Sequence, residues 1–116
     1  MTTFDADALL AEYGDEELIA ELVQLWLDQA APQMQAIDAA IAAGDATGLK
    51  RAAHKMRGTI ATFGAAEAVS VAEQLEAIGV SGACAGATAL SAQLATHVRA
   101  LCDGASAWLA TQPQAH

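Results

Sequence analysis

Apolar residues recur along this chain at spacings of three and four, and no stretch alternates apolar and polar positions convincingly, so the sequence reads as helix throughout. A short first helix is predicted over residues 5–13, ended by Gly14. A second begins near Asp15 and carries Leu18, Ile19, Leu22, Val23, Leu25 and Trp26 on a broad apolar face. The same period continues through Met34, Ile37 and Ile41 to Gly44. Pro32 falls inside this run and is expected to kink or split it, because proline removes one backbone donor. Gly44 is a good stop and Asp45 a good N-cap for the next element.

A third helix is predicted over residues 46–62, broken at Gly64. A fourth follows over residues 65–78, with Val69, Ala72, Leu75 and Ile78 as its inward face and Gly79 closing it. The small residues between 80 and 86 read as a loop. A last helix starts near Ala87 with Leu90, Leu94, Val98 and Leu101 in phase, and Gly104 is expected to bend or end it before Trp108 and Leu109. Four long amphipathic helices with short connections predict an all-α fold: an antiparallel four-helix bundle with a short additional N-terminal helix. A chain of 116 residues reads as one domain (1–116, core about 9–109), long enough to bury a single core.

Composition sharpens this picture. Hydrophobic residues make up 54% of the chain, yet much of that is alanine and only 4% is aromatic, which favours closely packed helices. No apolar run approaches the roughly 20 residues of a membrane span. The first residues lack the basic and apolar regions of a signal peptide, so cytoplasmic residence is expected. Cys84 and Cys102 show no metal or redox spacing and read as small buried hydrophobes. A formal net charge of −9 argues against general nucleic-acid binding.

The cations are not scattered. Of five Lys plus Arg against 14 Asp plus Glu, four fall within eight positions, Lys50, Arg51, Lys55 and Arg57, with His54 among them. Advancing about 100° per residue, Thr47, Lys50, Arg51, Arg57, Gly58 and Ala61 fall within about 60° of His54. Leu49, Ala52, Met56, Thr59, Ile60 and Phe63 fall opposite, and they form the natural core stripe. His54 is therefore expected at the surface. Cations one turn away oppose protonation of the imidazole, and they would stabilise a phosphoryl group once it is attached. Gly58, one turn on, leaves room for a partner's surface to reach the ring. On charges alone, a solvated helix face balancing the acidic remainder is an equal reading. The remaining histidines attract less interest, since His97 has no evident constellation and His116 is terminal. Glu73 and Glu76 read as a solvated or salt-bridged pair.

The stretch Ala53-His54-Lys55-Met56-Arg57-Gly58-Thr59-Ile60-Ala61-Thr62-Phe63-Gly64-Ala65 resembles the hallmark of the histidine-containing phosphotransfer (HPt) domains of two-component phosphorelays, A-H-x-L-K-G followed by small residues and G-A. Upstream, Ala43-Gly44-Asp45 with Leu49 and Ala52 is similar to the family's lead-in to this helix. Downstream, Ala72-Glu73-Gln74-Leu75-Glu76 is similar to its continuation. Met56 stands for the usual leucine and Arg57 for the usual lysine, a core swap of similar volume and a change of fork for point charge.

The resemblance implies a phosphocarrier rather than a complete enzyme. His54 would accept a phosphoryl group from a receiver-domain phospho-aspartate, through Nε2, and pass it to the aspartate of another receiver. Arg57 and Lys50 would meet the transferring oxygens, while Arg51 and Lys55 would steer the acidic receiver site. Gly58, Ala61 and apolar residues of the second helix, Leu18, Leu22 or Trp26, would border the docking surface, although the last two serve equally as core. No cofactor of its own is expected, with Mg²⁺ supplied by the partner. The implied partners are receiver domains of response regulators and hybrid sensor histidine kinases, with no nucleic acid and no membrane, and the chain is expected as a monomer. Two alternatives stay open: the phospho-accepting domain of a chemotaxis-type kinase, and a non-catalytic receiver-binding adaptor.

Overall fold

Three aspartates set where helices begin. Asp5 accepts from the Ala8 amide at 3.0 Å, Asp15 from Glu17 at 2.9 Å and Asp45 from Gly48 at 2.9 Å. Each such cap is worth about 1 kcal/mol, because it satisfies an amide that has no partner within its helix. The computed structural model describes residues 4–113. It contains α1 (Ala6–Tyr13), α2 (Glu16–Ala43), α3 (Ala46–Ala61), α4 (Ala66–Val80) and α5 (Ala87–Ala110). Gly14 and Gly44 end α1 and α2 in the left-handed region, at φ 71° and 64°, where a side chain would be strained.

Helices α2 to α5 close into a ring in which each packs on its chain neighbours and α5 returns to α2, while α1 rests on α2. Cross-helix pairs run in opposite order, Trp26 with Phe63 and Gln33 with Thr59, Lys50 with Gly79 and His54 with Glu76, so neighbours are antiparallel. The core holds Ile19, Val23, Trp26, Ile37, Leu49, Met56, Ile60, Leu75, Leu94 and Leu101, each under 2% exposed. Buried Ala30, Ala53, Ala68, Ala72 and Ala105 occupy the contact positions between the larger side chains, where small volume lets helix axes approach.

Several expectations need correction. Pro32 does not divide the second helix: α2 runs through it unbroken. Both Pro32 and Asp28 are exposed, so water can reach the carbonyl that loses its donor. Gly79 does not close α4, and Gly104 does not end α5. A Cβ on Gly79 would lie 2.5 Å from the Lys50 backbone nitrogen and 2.8 Å from the Ala46 oxygen, so this glycine is where α4 crosses the start of α3. A Cβ on Gly104 would lie 2.8 Å from Cβ of Phe4. The inward stripe of α4 is also rotated, with Ala68, Val71, Ala72, Leu75 and Gly79 buried while Val69 and Ile78 are half-buried. Close backbone approach at Gly79 turns that position, rather than Ile78, toward α3.

Candidate functional site

The outward face of α3 is as its helical phase predicts. Thr47, Lys50, Arg51, His54, Gly58 and Ala61 are exposed and Arg57 is half-buried, whereas Leu49, Met56, Ile60 and Phe63 are buried. Ala52 and Thr59 are half-buried. The His54 side chain is 62% exposed. The buried stripe pins one side of the helix, so the imidazole stands on a rigid element rather than on a loop.

A carboxylate that the sequence did not tie to this site completes it. Glu76 of α4 places Oε2 2.8 Å from Nδ1 of His54. Arg57 Nη2 lies 2.9 Å from the same Nδ1, and Arg57 Nε lies 3.1 Å from Glu76 Oε1. One ring nitrogen cannot both donate to a carboxylate and accept from a guanidinium. An ionised carboxylate only accepts, so a contact of 2.8 Å requires the proton on Nδ1. That tautomer leaves the lone pair on Nε2. Arg57 then acts as the counter-charge of Glu76; its Nε–H is not aligned for a hydrogen bond, and the contact is electrostatic. With Arg57 35% and Glu76 19% exposed, such a pair adds at most about 1 kcal/mol to stability, so its consequence is geometric.

Arg57, expected to meet transferring oxygens, is thus held on the Nδ1 side of the ring, and reaching those oxygens would mean leaving Glu76. Lys50, Arg51 and Lys55 form no ion pair among the described residues and remain available. The field around His54 is mixed rather than purely cationic. Glu76 was legible only as one of two acids three residues apart on α4; the antiparallel register of α3 and α4 is what singles it out.

Between α2 and α3, next to His54, runs a groove of about 320 Å³. Leu22, Leu25 and Gly58 border it, with Trp26 and Phe63 beneath. Trp26 is core, 1% exposed, and its Nε1 makes no hydrogen bond; Leu22 is half-buried; Leu25, which the sequence did not single out, is 53% exposed. Leu18 is exposed but does not line the groove. A larger groove of about 620 Å³, lined by Glu16, Glu17, Glu21, Leu109 and Pro113, shares no residue with the His54 face.

An exposed histidine with its Nδ1 anchored, set among cations on an all-helical bundle, is the arrangement of a phosphoryl carrier. A family model for the Hpt domain matches residues 21–108, and the chain belongs to that family, whose members carry phosphoryl groups in two-component signalling and are not classical enzymes. No curated protein and no solved structure matches the chain. Among the described residues, no helix is long and apolar enough to cross a membrane.

Proposed function

We propose that His54 is the phosphoryl-accepting residue of a relay carrier, taking the group from a receiver phospho-aspartate and handing it to the aspartate of another receiver. The observation that carries this reading is the anchored ring: Nδ1 bound to Glu76 at 2.8 Å, with the ring 62% exposed. In the transfer, the Nε2 lone pair forms an N–P bond as the acyl P–O bond breaks, and the electron pair of that bond returns to the receiver carboxylate. The proton stays on Nδ1, so the ring gains positive charge as the bond forms. Glu76 compensates that charge, and Lys50 faces the phosphoryl oxygens, with Arg51 and Lys55 drawing in the acidic receiver site. Holding the ring in one orientation removes rotational freedom before the encounter.

Mg²⁺ would come with the receiver, where it neutralises the phosphoryl group being transferred. The groove beside His54, with Leu22, Leu25, Gly58 and, along the same face, Ala61, is the docking surface in this reading. A monomer in the cytoplasm suffices for such a role. The test is incubation with phosphorylated receiver domains: wild type acquires acid-labile phosphate, and His54→Gln does not while keeping its helicity. Labelling that survives the substitution removes His54 from the role. Labelling by a kinase core plus ATP, but by no receiver, assigns the chain to a chemotaxis-type kinase instead. Receiver binding unaffected by His54→Gln, with no transfer in either direction, makes it an adaptor.

A further inference from the structure

One polar side chain interrupts the apolar stripe of α2. Ile19, Val23, Trp26, Ala30, Ile37 and Ala40 are buried, and Gln33 falls among them at 5% exposure. Its Nε2 donates to Gln29 Oε1 at 3.1 Å and to Thr59 Oγ1 at 3.3 Å, while its own Oε1 is buried without a partner. Thr59 does not depend on it, because the Thr59 hydroxyl already donates to the Lys55 carbonyl at 3.0 Å. Leucine at this position would fill similar volume and bury no unpaired acceptor, so fold stability does not account for the amide. The two groups that Gln33 ties together, Gln29 and Thr59, both line the groove beside His54. Around them the groove is walled by Leu22, Leu25, Trp26 and Phe63.

The geometry points to Gln33 as a positioning residue that fixes the Gln29 amide in the α2–α3 groove, so that the groove selects receivers presenting a hydrogen-bonding group, rather than an apolar one, at that point of their docking face. This rests on the receiver-docking reading above. A partner with an apolar side chain there leaves the Gln29 amide desolvated and unpaired, and one such group discriminates by about tenfold. A free Gln29 side chain could swing aside; anchoring from below prevents that escape. Gln33 contributes by restricting its neighbour, while Gln29 makes the contact.

The experiment uses a panel of purified receiver domains phosphorylated with acetyl phosphate, each assayed for transfer to wild type, Gln33→Leu and Gln29→Leu. Thermal unfolding of all three proteins is measured alongside. Gln33→Leu is expected to melt at or above wild type, yet to slow transfer from the preferred receiver about tenfold through weaker docking, leaving poor donors unchanged or faster. Gln29→Leu is expected to compress the ranking in the same way. If both variants keep the ranking with rates within about twofold of wild type, the selection role is wrong. If Gln33→Leu loses stability and Gln29→Leu leaves the ranking intact, Gln33 is merely structural. Wild type labelled by no receiver overturns the carrier reading and this inference together, whereas wild type labelled with an unaltered ranking in the variants overturns this inference alone.

Discussion

Helices α3 and α4 share the His54 site unequally. α3 supplies the reactive ring and four cations, all on one face that its 3.6-residue period displays openly. α4 supplies a single carboxylate, Glu76, and a residue with no side chain, Gly79. The first contribution is chemistry and the second is alignment. Gly79 lets the α4 backbone reach the start of α3, and that crossing brings Glu76, three residues earlier, level with His54. Reagents can be read from one helix, but their positioning is a property of the pair.

Two glycines break the comparison most sharply. Alanine at an ordinary helical glycine stabilises by about 0.5–1 kcal/mol. At Gly79 the added carbon would meet backbone of α3 at 2.5 Å, so Gly79→Ala is expected to lose about 1–3 kcal/mol in denaturant unfolding and to weaken the Glu76 contact as well. Gly58→Ala meets nothing within 4 Å and is expected to gain the ordinary increment. Equal effects at the two sites would mean that α4 does not depend on close approach. Glu76→Ala comes next: transfer is expected to fall roughly ten- to a hundredfold with little change in unfolding midpoint, while Glu76→Gln, which keeps an acceptor for Nδ1–H, falls less. Lys50→Ala should slow encounter with receivers several-fold at low salt, with the deficit shrinking above about 0.5 M salt as screening removes it.

The smallest effect lies away from both helices. Burial, reinforced by the adjacent Asp103 carboxylate, pushes the Cys102 thiol up. A thiol reacts through its thiolate, so Cys102 is expected to alkylate more slowly than an unstructured cysteine peptide at pH 8, and to reach the peptide's rate once the protein is unfolded. Equal rates in the folded protein would place Cys102 in open solvent.

Much of the bundle was legible because its signals are local. Asp15, Gly44 and Asp45 act as caps and stops through contacts within four residues, and the α3 stripe follows from period alone. Gly79 and Gly104 have the same residue type as Gly14 and Gly44, but a neighbouring element gives them a different task, and local reading mistook packing contacts for terminators. Pro32 misled for a related reason, since its cost depends on whether solvent can reach Asp28. Glu76 and Gln33 were hidden more deeply. Each looks like an unremarkable polar residue until a partner from another helix, His54 or Thr59, arrives beside it.

The central claim is that Glu76 holds the His54 proton on Nδ1 and leaves Nε2 to form the bond to phosphorus. Nitrogen-15 imidazole spectra of the protein before and after incubation with a phosphorylated receiver test it directly. The account predicts a neutral Nδ1–H ring in the free protein, phosphorus attached at Nε2 in the product, and loss of the fixed tautomer in Glu76→Ala. Phosphorus on Nδ1, or a free ring that carries its proton on Nε2, would contradict it.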